Sequence, residues 1–112
     1  MAMKIILNGE EVDLSVKALC HKGDYGNYKF TIERKITFDL DAMAKTLAKV
    51  YSLDKLHKLF MILKNPDVSI SIARHGRIMI EKVSPDTPER ALQIAMDVFE
   101  SIAGFEGIVE KP

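Results

Sequence analysis

Two short clusters carry the side chains best suited to chemistry. Cys20-His21, with Asp24 close behind, offers a thiol, an imidazole and a carboxylate beside a glycine-rich stretch, all of them donors that zinc accepts. Tetrahedral zinc needs four ligands, and His57 and His75 are the only other histidines, so the group is half a site. As nucleophile and base the pair fails on direction, because neighbours on a strand point to opposite faces. A half-buried thiol is the plain reading of Cys20. Arg74-His75-Gly76-Arg77 brings two guanidiniums to one turn, an arrangement suited to phosphate or an acidic partner. A solvated hairpin tip accounts for the same residues, since turns collect polar side chains in any fold. The sequence contains no phosphate-cradling glycine loop, paired-histidine helix or nucleophile elbow. It implies no catalytic residue, no cofactor and no metal.

The elements that must position these residues are clearest between Asp67 and Gly104. Val68, Ile70 and Ile72 alternate with Ser69, Ser71 and Ala73, and Ile78 and Ile80 alternate with Arg77, Met79 and Glu81. Period-2 alternation marks half-buried strands. A two-residue loop would split the isoleucines over both faces. A three-residue loop, Arg74-His75-Gly76, sets Ile72 opposite Ile78 and Ile70 opposite Ile80, with Gly76 at the left-handed position. Thr87, Pro88 and Glu89 then read as N-cap, first helical residue and dipole partner of a long helix. Ala91, Leu92, Ala95, Phe99 and Ile102 recur at helical spacing, widened by Ile94 and Val98, and Gly104 ends the run. This helix is expected to lie across the isoleucine face.

Upstream, Lys4-Ile5-Ile6-Leu7 reads as a strand and Asn8-Gly9 as a tight turn. Val12, Leu14, Val16 and Ala18 alternate along a second strand, and Gly23 to Asn27 reads as a loop. A longer strand follows, with Tyr28, Phe30, Ile32, Ile36 and Phe38 on one face, interrupted by Arg34 at a bulge or an emergence from the core. Asp39 caps a helix carrying Leu40, Met43, Leu47 and Val50, with Lys45 and Lys49 outward. A second short helix is expected from Ser52 or Leu53 to His57. Leu59 to Leu63 fits the end of that helix or a buried strand equally well. The tail offers Ile108 and Val109 as docking residues.

These elements predict one α+β domain over residues 1–112, with N-terminal strands over 3–38, a helical segment over 39–64 that ends in strand or helix, and hairpin plus helix over 67–104. Its mainly antiparallel sheet has five to six strands in the order β-β-β-α-α-(β)-β-β-α. Such a chain is long enough to bury a core unaided. Hydrophobic residues make up 47% without any run of membrane-spanning length. The single cysteine excludes an internal disulfide framework and, with no leader-like opening, sets a cytoplasmic expectation. Sixteen basic and sixteen acidic residues cancel, so no global field attracts nucleic acid. Locally, residues 42–82 carry eight Lys/Arg against three Asp/Glu, and residues 83–112 carry two against six.

From about Tyr28 to Gly104 the order strand, two short helices, three strands, long helix resembles one repeat of the TATA-box-binding protein core. Phe38-Asp39-Leu40-Asp41-Ala42-Met43-Ala44, Pro66 after a strand, Gly76-Arg77-Ile78-Met79-Ile80 and the Ser84-to-Thr87 segment carry the likeness. The resemblance implies that Phe60 to Lys64 is a strand and that one face of the sheet stays open. That family binds the DNA minor groove on this face with wedging phenylalanines. The matching positions here are about Leu56 and Ala73, and the same face would carry Ser69, Ser71, Arg77, Met79, Glu81, Thr31 and Glu33. Alanine cannot wedge, and carboxylates repel phosphates. The family also uses two repeats, and the N-terminal hairpin would cover the edge where a second one joins.

The expected function is therefore a non-catalytic interaction module, acting on a protein partner through the open face or by self-association and not at a membrane. Arg74, His75, Arg77, Met79, Lys55 and Lys58 are its candidate contact residues. The alternative is a nucleic-acid binder in which Asp39 to His57 forms a helix-turn-helix, Lys55 and Lys58 read the groove, and the Arg74–Arg77 hairpin is a wing.

Overall fold

The isoleucine hairpin forms in the register that its pattern demands. In a computed structural model that describes residues 2–7, 10–22, 25–33, 37–65, 68–84, 86–102 and 109–110, strands β7 (Val68–Ala73) and β8 (Arg77–Val83) pair with Ile70 opposite Ile80 and Ile72 opposite Ile78. All four isoleucines are fully buried. Gly76 has φ 91°, the left-handed conformation that glycine adopts without strain.

The helix α2 (Pro88–Ile102) follows. Thr87 Oγ1 accepts from the Arg90 N–H at 3.1 Å, as an N-cap should. Thr87→Ala removes that acceptor and is expected to cost about 1 kcal/mol, read as a lower denaturation midpoint at unchanged slope. Ala91, Ala95, Val98 and Phe99 are buried and join the four isoleucines in one core. The helix packs over β8 and β3 (Tyr25–Ile32), so the terminal helix does close the isoleucine face.

The remaining strands are β1 (Ala2–Leu7), β2 (Glu10–Lys22), β5 (Ser52–Leu56) and β6 (Phe60–Asn65). With β3, β8 and β7 they form a seven-stranded antiparallel sheet in the order β1-β2-β3-β8-β7-β6-β5. The six expected strands are all present, and the seventh replaces the second short helix. β4 (Thr37–Phe38) pairs separately with β9 (Val109–Glu110), so Val109 does dock the tail, whereas Ile108 lies outside the described residues. Helix α1 (Leu40–Leu47) is capped by Asp39, whose carboxylate accepts from Ala42 N–H at 3.2 Å, and it packs on β5, β6 and α2.

Four expectations need correction. Residues 52–56 are extended because Leu53, Lys55 and Leu56 pair with Leu63, Ile62 and Met61, and tertiary pairing outweighs their helical propensity. No second helix exists there, which removes the helix-turn-helix. Val50 leaves the α1 stripe because the helix ends at Leu47. Val50 is 65% exposed, and Tyr51 turns inward instead. The expected loop over 23–27 is shorter, since Tyr25, Gly26 and Asn27 pair with Lys22, His21 and Cys20. The long strand stops at Ile32, and Phe38 reaches the core from β4. Asn8-Gly9, Asp24, Arg34, Ile36 and Pro66 lie outside the described residues.

Candidate functional site

Both helices cover the same side of the sheet. The opposite side is open, and the strand registers fix which residues share it. One row across the strands reads Ser15, Thr31, Arg77, Ala73, Phe60, and the next reads Lys17, Lys29, Met79, Ser71, Ile62, Lys55. Adjacent rows are about 7 Å apart, and a row across six strands spans about 24 Å.

This double row is a belt with a distinct chemistry. Arg77, Lys17, Lys29 and Lys55 provide four cations, while neither row contains a carboxylate. Phe60, Ile62, Ala73 and Met79 make its middle apolar and are half-buried. Acidic residues flank the belt on both sides. Asp13 and Glu33 lie beyond the first row, where Glu33 accepts from the Ser15 hydroxyl at 2.6 Å. Glu81 and Asp54 lie beyond the second, with Asp54 turned to Lys64 at 3.8 Å.

Lys17 stands directly opposite Lys29. Like charges in cross-strand register destabilise a sheet, and neither lysine has an ion-pair partner among the described residues. Lys55 lies at the other end of the row with its Nζ 5.6 Å above the Phe60 ring, and the His57 ring stacks on Phe60 at 5.0 Å. Leu59 N–H donates to His57 Nδ1 at 3.2 Å, which holds that ring against the sheet.

The expected contact residues divide into two groups. Arg77, Met79 and Lys55 meet on the belt, though Lys55 arrives on a strand and not on a helix. Arg74 and Lys58 instead line a cleft of about 390 Å³ at the start of α1, together with Leu56, His57, Asp39 and Asp41. The wedge positions also part, for Ala73 is on the open face and Leu56 pairs with Met61 on the helix side. The tip is anchored on both flanks: Arg74 N–H donates to the Leu59 carbonyl at 2.8 Å. The Arg74 and Gly76 carbonyls accept from Phe38 N–H at 2.7 Å and Ile32 N–H at 2.9 Å. Only His75 and Arg77 remain exposed there.

The sequence alone does not single out Phe60, Ile62, Lys17 and Lys29, which the strand registers bring onto the belt. Lys17 and Lys29 sit at ordinary polar positions of their strands, and only the β2–β3 register makes them neighbours. Phe60 and Ile62 belong to a run whose composition suits helix and strand equally. Cys20 and His21 both lie on β2. Among the described residues, no three His, Cys, Asp or Glu side chains converge on a point that would hold a metal ion, and no helix is long and apolar enough to cross a membrane. No family model, curated protein or solved structure matches the chain.

Proposed function

We propose that this protein is a non-catalytic binding module, similar in design to a single repeat of the TATA-box-binding protein core, whose open sheet face takes an extended acidic polypeptide across the strands. The unrelieved Lys17–Lys29 pair in a carboxylate-free belt carries the reading. The helices on one face and the antiparallel sheet left open on the other support the likeness, and β2 occupies the outer edge of β3. The belt is one extended chain wide, with Phe60, Ile62 and Met79 as apolar floor and cations at both ends. A nucleic-acid duplex is wider than one extended chain and would bring phosphates onto Asp13, Glu33 and Glu81, which repel them.

Lys17→Glu separates function from folding. It replaces a like-charge pair by an opposite-charge one and is expected to leave stability unchanged or raise it by about 0.2–1 kcal/mol. The same change is expected to weaken binding of a labelled peptide of alternating Asp/Glu and apolar residues about tenfold or more, measured by fluorescence anisotropy at low salt. A Gln-substituted peptide should not bind. Indifference of the wild-type protein to the acidic peptide, or equal binding by Lys17→Glu, would discard the proposal. Tighter, steeply salt-dependent binding of a DNA duplex would favour the nucleic-acid alternative.

A further inference from the structure

Val50, Leu53, Leu56 and Leu59 are four of the five large apolar side chains exposed among the described residues, and all cluster at β5. β5 ends the sheet, and no described strand pairs with its outer side. Natural edge strands are normally blunted by short length, charge, proline or bulges because they recruit further strands; β5 is short and bulged, and its bulge turns both leucines to one side. This one carries exposed leucines on the helix side and a single acid–base couple on the open side.

We infer that two copies of this chain pair antiparallel along β5, about a twofold axis through the Asp54–Lys55 bulge, to make one continuous sheet. The register follows from the pairing of β5 with β6. Leu53 faces Leu63, Leu56 faces Met61, and between them Asp54 and Lys55 together occupy the single position opposite Ile62. Leu53 and Leu56 therefore point to the helix side, Lys55 reaches over Phe60 and Asp54 reaches Lys64 on the open side. With the twofold axis on the bulge, Leu53 of each copy meets Leu56 of the other on the helix side. Asp54 of each copy meets Lys55 of the other on the open side. An unbulged strand would place Leu53 and Leu56 on opposite faces and forbid this match. Every pair across the axis is thus complementary, leucine to leucine and acid to base, and both kinds favour pairing. The belts of the two copies would also join end to end, although the pairing does not depend on what the belt binds.

Charge exchange tests the register. Asp54→Lys places lysines against lysines in a homodimer, and Lys55→Asp places aspartates against aspartates. Each alone is expected to weaken self-association about tenfold or more, measured by sedimentation equilibrium of the full chain over a wide concentration range. Mixing the two variants restores opposite charges at both contacts and is expected to return the dimer as a heterodimer. Leu53→Lys, a change at an exposed position that keeps Asp54 and Lys55 in place, should give a monomer in every mixture. Far-ultraviolet circular dichroism checks that each variant folds. A wild-type chain that stays monomeric overturns the inference. So do single variants that associate as the wild type does, or a mixture that fails to recover the dimer.

Discussion

Ile70→Ala is expected to destabilise the protein by about 2–5 kcal/mol, a large share of the roughly 5–15 kcal/mol that holds a domain of this size together. Ile70 is fully buried on the central strand β7, opposite Ile80 and beside Leu63 on β6. Truncation removes three carbons from a fully buried position between β6 and β8, and the surroundings relax only partially into the space. The neighbouring Ser71 faces the open side, so Ser71→Ala is expected to move stability by less than about 0.5 kcal/mol. Chemical denaturation of both variants measures the contrast. Similar small losses from both would mean that the isoleucines do not form the core.

A second large effect is expected where the segment leading into α2 meets β3. The Tyr28 hydroxyl donates to Asp86 at 2.7 Å. Gly26 leaves the space in which the Asp86 carboxylate sits, since a β-carbon at that position would collide with it. Gly26→Ala therefore expels Asp86 and leaves the tyrosine hydroxyl without its acceptor, at an expected cost of about 1–3 kcal/mol. The same change in a Tyr28→Phe background should cost distinctly less, because the bond is already gone and the two effects are not additive.

Burial, and next the bond to Asp86, push the Tyr28 hydroxyl up to about 12 from its ordinary value of 10. A raised value in the folded state means that the unfolded chain loses this proton first as pH rises. The stability it contributes is fully present below pH 10 and is lost between about pH 10 and 12. Wild-type stability should fall through that window more steeply than that of Tyr28→Phe. Tyr51 is raised in the same direction, by burial and then by the charge of Asp97, and it contributes to the residual alkaline slope in the variant, as does Lys4, raised by its bond to Glu11.

What the residues determined unaided was local. The alternation of Ile70, Ile72, Ile78 and Ile80 admits one hairpin register, because a slip by one position would turn every isoleucine towards water. The caps Asp39 and Thr87 mark helix starts, because side-chain oxygens there satisfy free backbone N–H groups whatever surrounds them. These features depend on neighbours a few positions away.

Tertiary structure decided the rest. Ser52 to Leu56 carries no strand pattern of its own and is a strand because β6 lies alongside it, an interaction that no short window contains. Leu59 to Leu63 suits helix or strand by composition, and pairing on both sides of β6 selected the strand. The belt is the clearest case. Lys17, Lys29, Arg77 and Lys55 come from four separate strands, and each looks like an ordinary solvated position. Their sharing of one sheet face, and the placing of Lys17 opposite Lys29, exist only once register and strand order are set, because electrostatic energy depends on distance through space and not on separation along the chain.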